Sequence, residues 1–527
     1  MRNLKVLDVT LRDGGCVNNF DFGQNYMDKI LAAQESSGVD IIELGYIDEK
    51  KGSVSGRTQY INEQVIIKNF LKNKKMNKSY VVMMDYGKFN VENLKTRTGD
   101  SIDGVRLAFH KKNCSDIIAV GKKILSKGYE LYIQPMITLR YSDAELLQLI
   151  EMVNNELPDA SAFYIVDSFG EMRPNDMDRI LNLVDHNLAR NIQLGFHSHN
   201  NMQMSYSNAI AMLQFPTNRD FIIDSSIMGM GKGAGNLNTE LLLEHLNLFY
   251  GKNYMVAPLL EVIDKVINQL HAEYYWGYAP EYYLSSINHC TPSYASHFYN
   301  KHMLPIDQVS ELLSMIDEDK KISFDKDYAE QLYRKYNENK AVDDTIVVQE
   351  FTQLFSDKTI LLVAPGKSMI KSIETIQKLT KEENIISIGL NTEFEFNDYI
   401  LTTRSDMYEK AVELGRNVIV CSNISKGGRG KVKILNYKNW IEIDERTHDS
   451  SAVIALNLLK TCKVKKVLLA GFDGFTLDMN NNYYDKTMRR PITAEQVERR
   501  NQYYKGFIKR LKSMGMDIGF VTPSLYE

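Results

Sequence analysis

Cysteine is sparse in this chain of 527 residues, and its five positions, Cys16, Cys114, Cys290, Cys421 and Cys462, have neither metal-finger nor disulfide-framework spacing. A reducing compartment, the cytoplasm, is the plain expectation. No basic tract or arginine-rich stripe is present, and 63 Lys and Arg against 67 Asp and Glu leave a net charge of −4. Nucleic acid and anionic membrane surfaces are thereby excluded as main partners. No apolar run is long enough to span a bilayer. The opening MRNLKVLDVT enters a strand pattern at once and does not read as a signal peptide. Internal sequence repeats and low-complexity stretches are also missing.

What the chain does have, over its first 250 or so residues, is one alternation carried out eight times. Short apolar, β-branched runs occur near Val6–Leu11, Val39–Gly45, Tyr80–Met84, Gly104–Phe109, Glu130–Pro135, Ala162–Val166, Ile192–Phe196 and Phe221–Ile227. Between them, Asn25–Ser37, Cys114–Ser126, Asp143–Asn155, Asn175–Leu188 and Gln203–Leu213 have helical spacing. Strands alternating with helices pair in parallel through crossovers, and eight units of this length predict a TIM barrel over residues 1–254. An open doubly wound sheet is the rival arrangement. Pro258–Glu273, Asp307–Ile316 and Asp327–Asn337 predict a helical cap or connector over 255–350, with Pro258 suited to the first turn of its helix. Alternation resumes in Thr359–Val363, Ile385–Gly389, Asn417–Cys421, Val467–Ala470 and Ile518–Val521, so 351–527 is read as a smaller Rossmann-like α/β domain.

Three distant segments fit one divalent-metal site. His197 and His199 are two residues apart at the carboxyl end of the seventh run, so their side chains share a face. Asp13 is expected to close the first strand on the same rim. Asn236 follows the eighth run in a loop containing Gly229, Gly231, Gly233 and Gly235, where backbone can approach a ligand closely. Mixed oxygen and imidazole donors suit Mn²⁺ or Mg²⁺ better than a structural zinc. A cation so held is suited to gripping a 2-oxo acid and stabilising an enolate.

The same residues carry a resemblance. Leu7-Asp8-Val9-Thr10-Leu11-Arg12-Asp13-Gly14-Gly15, with Glu43, His197-Ser198-His199 and Gly233-Ala234-Gly235-Asn236, resembles the strand-end motifs of the DRE-TIM metallolyases. Val105–His110, Tyr164–Gly170 and Trp276-Gly277-Tyr278 are most similar to segments of the 4-hydroxy-2-oxo acid aldolases in that superfamily. The resemblance implies a metal-dependent carbon–carbon lyase acting on a pyruvate-type 2-oxo acid and an aldehyde. It makes Asp13, His197, His199 and Asn236 the metal group. Arg12 would offset charge on the enolate oxygen, and Glu43 would either orient Arg12 or move protons. The aldolases have a catalytic histidine where this chain has Cys16, a poor base unless its pKa is lowered. The base is therefore left open among a water on the metal, His110, Tyr278 and His289. A Claisen-type acyl-CoA synthase is the alternative, although Gly15-Cys16-Val17-Asn18-Asn19 stands where those relatives carry a glutamate and a glutamine. A homo-oligomer is expected.

In the second domain, Leu361–Ser368 leads from a strand into a helix, a natural anion site formed by Gly366, Lys367 and Ser368, with Asp473 ending another strand. An ordinary strand-to-helix turn is the other reading. The pattern lacks the first glycine of a P-loop, and no Gly-x-Gly-x-x-Gly is present, so a fused dehydrogenase is not expected. These segments loosely resemble the Rossmann-like domains of bacterial surface-glycan proteins. That likeness implies a sugar-nucleotide or sugar-phosphate ligand, a place in surface-carbohydrate synthesis, and, as a further alternative, a bifunctional protein that also transfers glycosyl groups.

Overall fold

The computed structural model describes residues 3–71, 74–299, 304–425, 430–441, 450–488 and 494–527. Contacts divide the chain into two compact units, Met1–Ala295 and Ser296–Glu527. The division falls within the helical stretch that follows the barrel. Among the described residues no helix is long and apolar enough to cross a membrane.

In the first unit nine strands are parallel: β1 (Leu4–Asp8), β2 (Ile41–Ile47), β3 (Gln59–Tyr60), β4 (Ser79–Asp85), β5 (Gly104–Phe109), β6 (Glu130–Pro135), β7 (Ala162–Asp167), β8 (Gln193–Ser198) and β9 (Phe221–Ser225). Their order β1-β9-β8-β7-β6-β5-β4-β2 closes through a β1–β2 pairing into an eight-stranded barrel, and β3 hangs on β2 outside it. This is the predicted TIM barrel. Helices return the chain between strands. The one at Asp143–Glu156 starts with a capping box in which Ser142 and Glu145 satisfy each other's backbone donors. Pro174 opens the next, where its missing N–H is not needed. One apolar layer lies between strands and helices. A second fills the barrel with Leu7, Val9, Ile41, Val81, Tyr132 and Tyr164 among others.

Two local departures from strand periodicity shape the rim at the carboxyl ends of the strands. The first strand ends at Asp8, three residues before the expected Leu11. The Asp8 carboxylate accepts from the Thr10 N–H (2.9 Å) and hydroxyl (2.6 Å), curling the chain. Arg12 and Asp13 thus lie in a tight turn whose N–H groups converge on the Val9 carbonyl. In β2 the register slips by one residue between Glu43 and Tyr46. This bulge turns both side chains into the barrel. Gly45 makes it possible, with φ +140° and the Thr58 carbonyl oxygen 2.1 Å from where a Cβ would stand.

The second unit holds a seven-stranded parallel sheet: β10 (Thr359–Val363), β11 (Ile385–Leu390), β12 (Tyr399–Thr402), β13 (Val418–Cys421), β14 (Val432–Leu435), β15 (Lys466–Ala470) and β16 (Asp517–Phe520), in the order β14-β13-β12-β11-β10-β15-β16. β12 and β14 are additional to the five strands expected. Ile360 and Leu362 pack on one face, Leu361 and Val363 on the other, so both faces are covered.

Gly45→Ala should destabilise the first unit by on the order of 3 kcal/mol, through strained φ and overlap with the Thr58 carbonyl. Urea unfolding of the variant against wild type measures this.

Candidate active site

Residues that alternate along a barrel strand share its interior face. On β5 these are Gly104, Arg106, Ala108 and, just beyond the strand, His110. On β4 they are Val81, Met83 and Asp85; on β8, Gly195 and His197, with His199 following. The lower of these levels is apolar and the middle one is charged.

Arg106 dominates the middle level and is wholly buried, at 0% exposure. Its Nη1 donates to Glu43 Oε2 (2.8 Å), its Nη2 donates to Asp224, and its guanidinium lies 4.8 Å from the Tyr164 ring centroid. With the Gln134 amide oriented to suit its neighbours, that oxygen also accepts from Arg106 Nε and Nη2, both at 3.2 Å. Burial alone would lower the Arg106 pKa, but the Asp224 and Glu43 carboxylates more than offset this and keep it charged. Glu43 Oε2 also accepts from Arg12 Nε at 2.8 Å, so one fully buried carboxylate joins the two guanidiniums. Arg12 in turn donates from Nη1 to Asp13 Oδ1 (2.8 Å), while its buried Nη2 has no hydrogen-bond partner among the described residues.

Above this level Asp13, His197 and His199 converge, with one donor atom from each lying within 4.8 Å of the others. His197 Nδ1 meets Asp224 Oδ2 at 2.9 Å, which fixes its ring and leaves Nε2 as the free nitrogen. Burial lowers the His199 pKa to about 4, so its imidazole is neutral near pH 7. Burial would raise the Asp13 pKa, yet His199, Arg12 and His197 together hold it well below the usual carboxylate range. Asn236 is backbone-paired with His199 and donates from Nδ2 to Asp13 Oδ2 (2.8 Å) and the Met230 carbonyl (3.0 Å). Gly231 leaves room for this, since a Cβ there would sit 2.3 Å from the Asn236 Nδ2. Among the described residues, His199 Nδ1 and Asn236 Oδ1 are both buried without a hydrogen-bond partner. An ionised carboxylate, two imidazoles and an amide oxygen, two of them with orphaned lone pairs, fit a divalent cation.

The other candidates are placed around this group. His110 is half-buried at the end of β5, its pKa lowered mainly by burial. Cys16 opens to solvent in the mouth. Crowding by the surrounding protein, and then the Asp13 charge, push its pKa up to about 12, so it is a thiol and not a thiolate. Trp276 docks its segment by donating to the Met228 carbonyl (3.0 Å), and Tyr278 beyond it is 54% exposed. His289 Nδ1 pairs with Glu171 Oε2 at 2.6 Å. Tyr46 and Asp85 were missed by sequence reading. The Tyr46 hydroxyl faces Asp85, which lies near Arg12 and His110. Arg106 and Asp224 were also missed, although a charged residue within each of two buried strands was their signal.

In the second unit Gly366, Ser368 and Asp473 come together at the carboxyl ends of β10 and β15. Asp473 accepts from the Ser368 N–H (2.7 Å) and from its hydroxyl, so a carboxylate of the chain itself occupies those donors. Lys367 Nζ donates instead to Asn481 Oδ1 (2.8 Å).

Arg106→Met should cost about 3–5 kcal/mol in urea unfolding, because Glu43 and Asp224 would be left buried without their counter-charge. Asp224→Asn should weaken divalent-cation binding by about 10–100-fold, measured by titration calorimetry, through loss of the partner that fixes His197.

Comparison with known proteins agrees with this geometry. Residues 3–249 match the HMGL-like family model. A 4-hydroxy-2-oxovalerate aldolase of Geobacillus genomosp. 3 is 29% identical over 276 residues, 49% of this chain and 78% of that protein. An oxaloacetate decarboxylase of Mycobacterium tuberculosis is 25% identical over 244 residues, 46% of this chain and 69% of that protein. The crystal structure of the N-terminal domain of a candidate aldolase from Bacteroides vulgatus is 29% identical and superposes with a TM-score of 0.50, covering 56% of this chain and 96% of that one. Over residues 3–249 the chain is thus similar to the HMGL-like family.

Proposed function

We propose that the barrel is a divalent-metal-dependent carbon–carbon lyase of the 4-hydroxy-2-oxo acid aldolase type, cleaving to, or condensing from, a pyruvate-type 2-oxo acid and an aldehyde. The observation that carries this is the buried Asp13, His197 and His199 group with the unpartnered Nη2 of Arg12 beside it. Asp13, His197 and His199, with Asn236 at the edge, would hold Mn²⁺ or Mg²⁺. When bound, that cation supplies Lewis-acid polarisation of a 2-oxo carbonyl.

The chain's own residues perform the remaining tasks. Arg12, fixed by Glu43 and Asp13, offers Nη2 to the oxygen on which charge develops. Glu43, buried beneath it between two guanidiniums, orients Arg12. In the cleavage direction a base takes the 4-hydroxyl proton, the C3–C4 bond breaks, its electron pair goes into the enolate and the aldehyde leaves. His110 is our choice of base, since burial favours its neutral form; the Cys16 thiol is too weakly acidic for the task. Tyr278 is the alternative. Loss of carbon dioxide from an oxaloacetate-type acid produces the same enolate without an acceptor-side base, and the likeness to an oxaloacetate decarboxylase favours it as a second reading. For the second unit we propose a sugar-nucleotide or sugar-phosphate ligand where the strand order reverses beside β10, a position at which such sheets bind ligands, and with it a role in surface-carbohydrate synthesis.

With Mn²⁺ added, the protein should catalyse exchange of the pyruvate methyl protons in D₂O, and Asp13→Ala should abolish it. Absence of exchange in metal-loaded wild type would overturn the pyruvate enolate. Arg12→Leu should lower the exchange rate by about 10²–10³-fold. In the cleavage direction, kcat/KM should fall as acid protonates His110. That limb should lie below the ordinary imidazole pKa of 6.5 and vanish in His110→Gln.

A further inference from the structure

The upper level of the barrel is unlike the charged level beneath it. Arg106, Glu43 and Asp224 are sealed and ion-paired, whereas Tyr46, Asp85 and His110 are only half-buried and face the opening. They come from the carboxyl ends of three successive barrel strands. Tyr46 is registered beside Met83, two residues before Asp85 on the same face of β4, and Asp85 is registered beside Ala108, two residues before His110 on the same face of β5. The β2 bulge, which needs Gly45, is what turns Tyr46 inward beside them. Asp13 follows β1, and His197 and His199 lie at and just beyond the end of β8; Arg12 contacts Asp13 and also acts on Asp85, so it stands between the two groups.

We infer that Asp85 and Tyr46 form a hydroxyl-recognising wall for the aldehyde half of the substrate, so that this chain takes a hydroxyaldehyde and not a simple alkyl aldehyde. This rests on the aldolase reading given above. Asp85 lies close enough to Arg12 and His110 to feel their charge, so the acceptor of a 2-oxo acid set against Arg12 would lie against these side chains. A carboxylate with four lone-pair sites, one directed at the Tyr46 hydroxyl, has acceptor capacity left for adjacent hydroxyls. The phenol oxygen supplies a complementary group. An alkyl chain in that place would remove water from Asp85 and return no hydrogen bond. A cationic acceptor is disfavoured, because Arg12, Lys88 and His110 already act on Asp85 electrostatically. The Phe20 ring, 6.4 Å from that of Tyr46, borders the group with an apolar edge. Asp85 and Tyr46 are thus specificity-determining residues, while the proton transfer stays with the groups named above.

The test uses full-length protein loaded with Mn²⁺, pyruvate, and a panel of acetaldehyde, propanal, glycolaldehyde and glyceraldehyde, with pyruvate consumption as the readout. Wild type should prefer the hydroxyaldehydes by at least about 10-fold in kcat/KM, and on the order of 10²-fold for the best of them. Asp85→Leu should reverse the preference, and Tyr46→Phe should reduce it mainly through KM. The preference is a ratio measured on one preparation, so partial misfolding of a variant cancels. Wild type that exchanges pyruvate protons but prefers alkyl aldehydes, or an Asp85→Leu variant with an unchanged ratio, would overturn the inference alone. Absence of pyruvate exchange in wild type would overturn the aldolase reading and this inference with it.

Discussion

A single guanidinium in a dry interior holds the active end of the barrel together. Arg106 has no water to solvate it, and the energetic cost of burying an isolated cation is prohibitive. It is tolerable only because Glu43 and Asp224 approach from two other strands, β2 and β9. Each carboxylate then has a second duty. Glu43 fixes Arg12 through its Nε, and Asp224 fixes His197 through Nδ1. The two halves of the candidate site, Arg12 and His197, are therefore positioned by one charge network. A shift at Arg106 is transmitted to both, because close-packed interiors have few intermediate arrangements. The network also explains why Glu43 is poorly placed to shuttle protons: its exposure is nil and its oxygen is shared by two cations.

The barrel was legible in the sequence because alternation of strand and helix is a statement about burial, and burial decides this fold. All eight barrel strands lie where apolar runs predicted them. The errors came from side chains that compete with the backbone. Asp8 bonds Thr10 and ends β1 early; the bulge at Gly45 adds a residue to β2 that no periodicity reveals. The convergence of the proposed ligand residues was legible for a different reason, since His197 and His199 carry chemistry that an apolar strand end does not need. Arg106 and Asp224 were overlooked because each is a single charged residue in its strand, and only three-dimensional proximity pairs them. Tyr46 and Asp85 required the bulge to be known first. In the second unit the two unforeseen strands, β12 and β14, are four residues each, too short for a period-two pattern to stand out.

The second unit illustrates how a donor pattern becomes its own counter-ion. A strand, a glycine turn and a following helix do present free N–H groups, as Leu361–Ser368 suggested. Here the adjacent strand end contributes Asp473, whose carboxylate takes both the Ser368 N–H and hydroxyl. An incoming phosphate at this spot would have to displace a carboxylate already hydrogen-bonded there, which makes Lys367 and the wider rim beside β10 the better place for an anionic group.

In the barrel the levels divide the work by solvent access. The apolar bottom supplies burial, and the sealed charged level fixes geometry. Only the half-open top is free to vary without unfolding what lies beneath it. Substituting a group in the sealed level strands a charge, whereas substituting Asp85 or Tyr46 alters what the mouth accepts while the Arg106 network keeps its partners. That separation places the chemical individuality of this chain at the ends of β2 and β4, where its hydroxyl-bearing and acidic side chains face the opening.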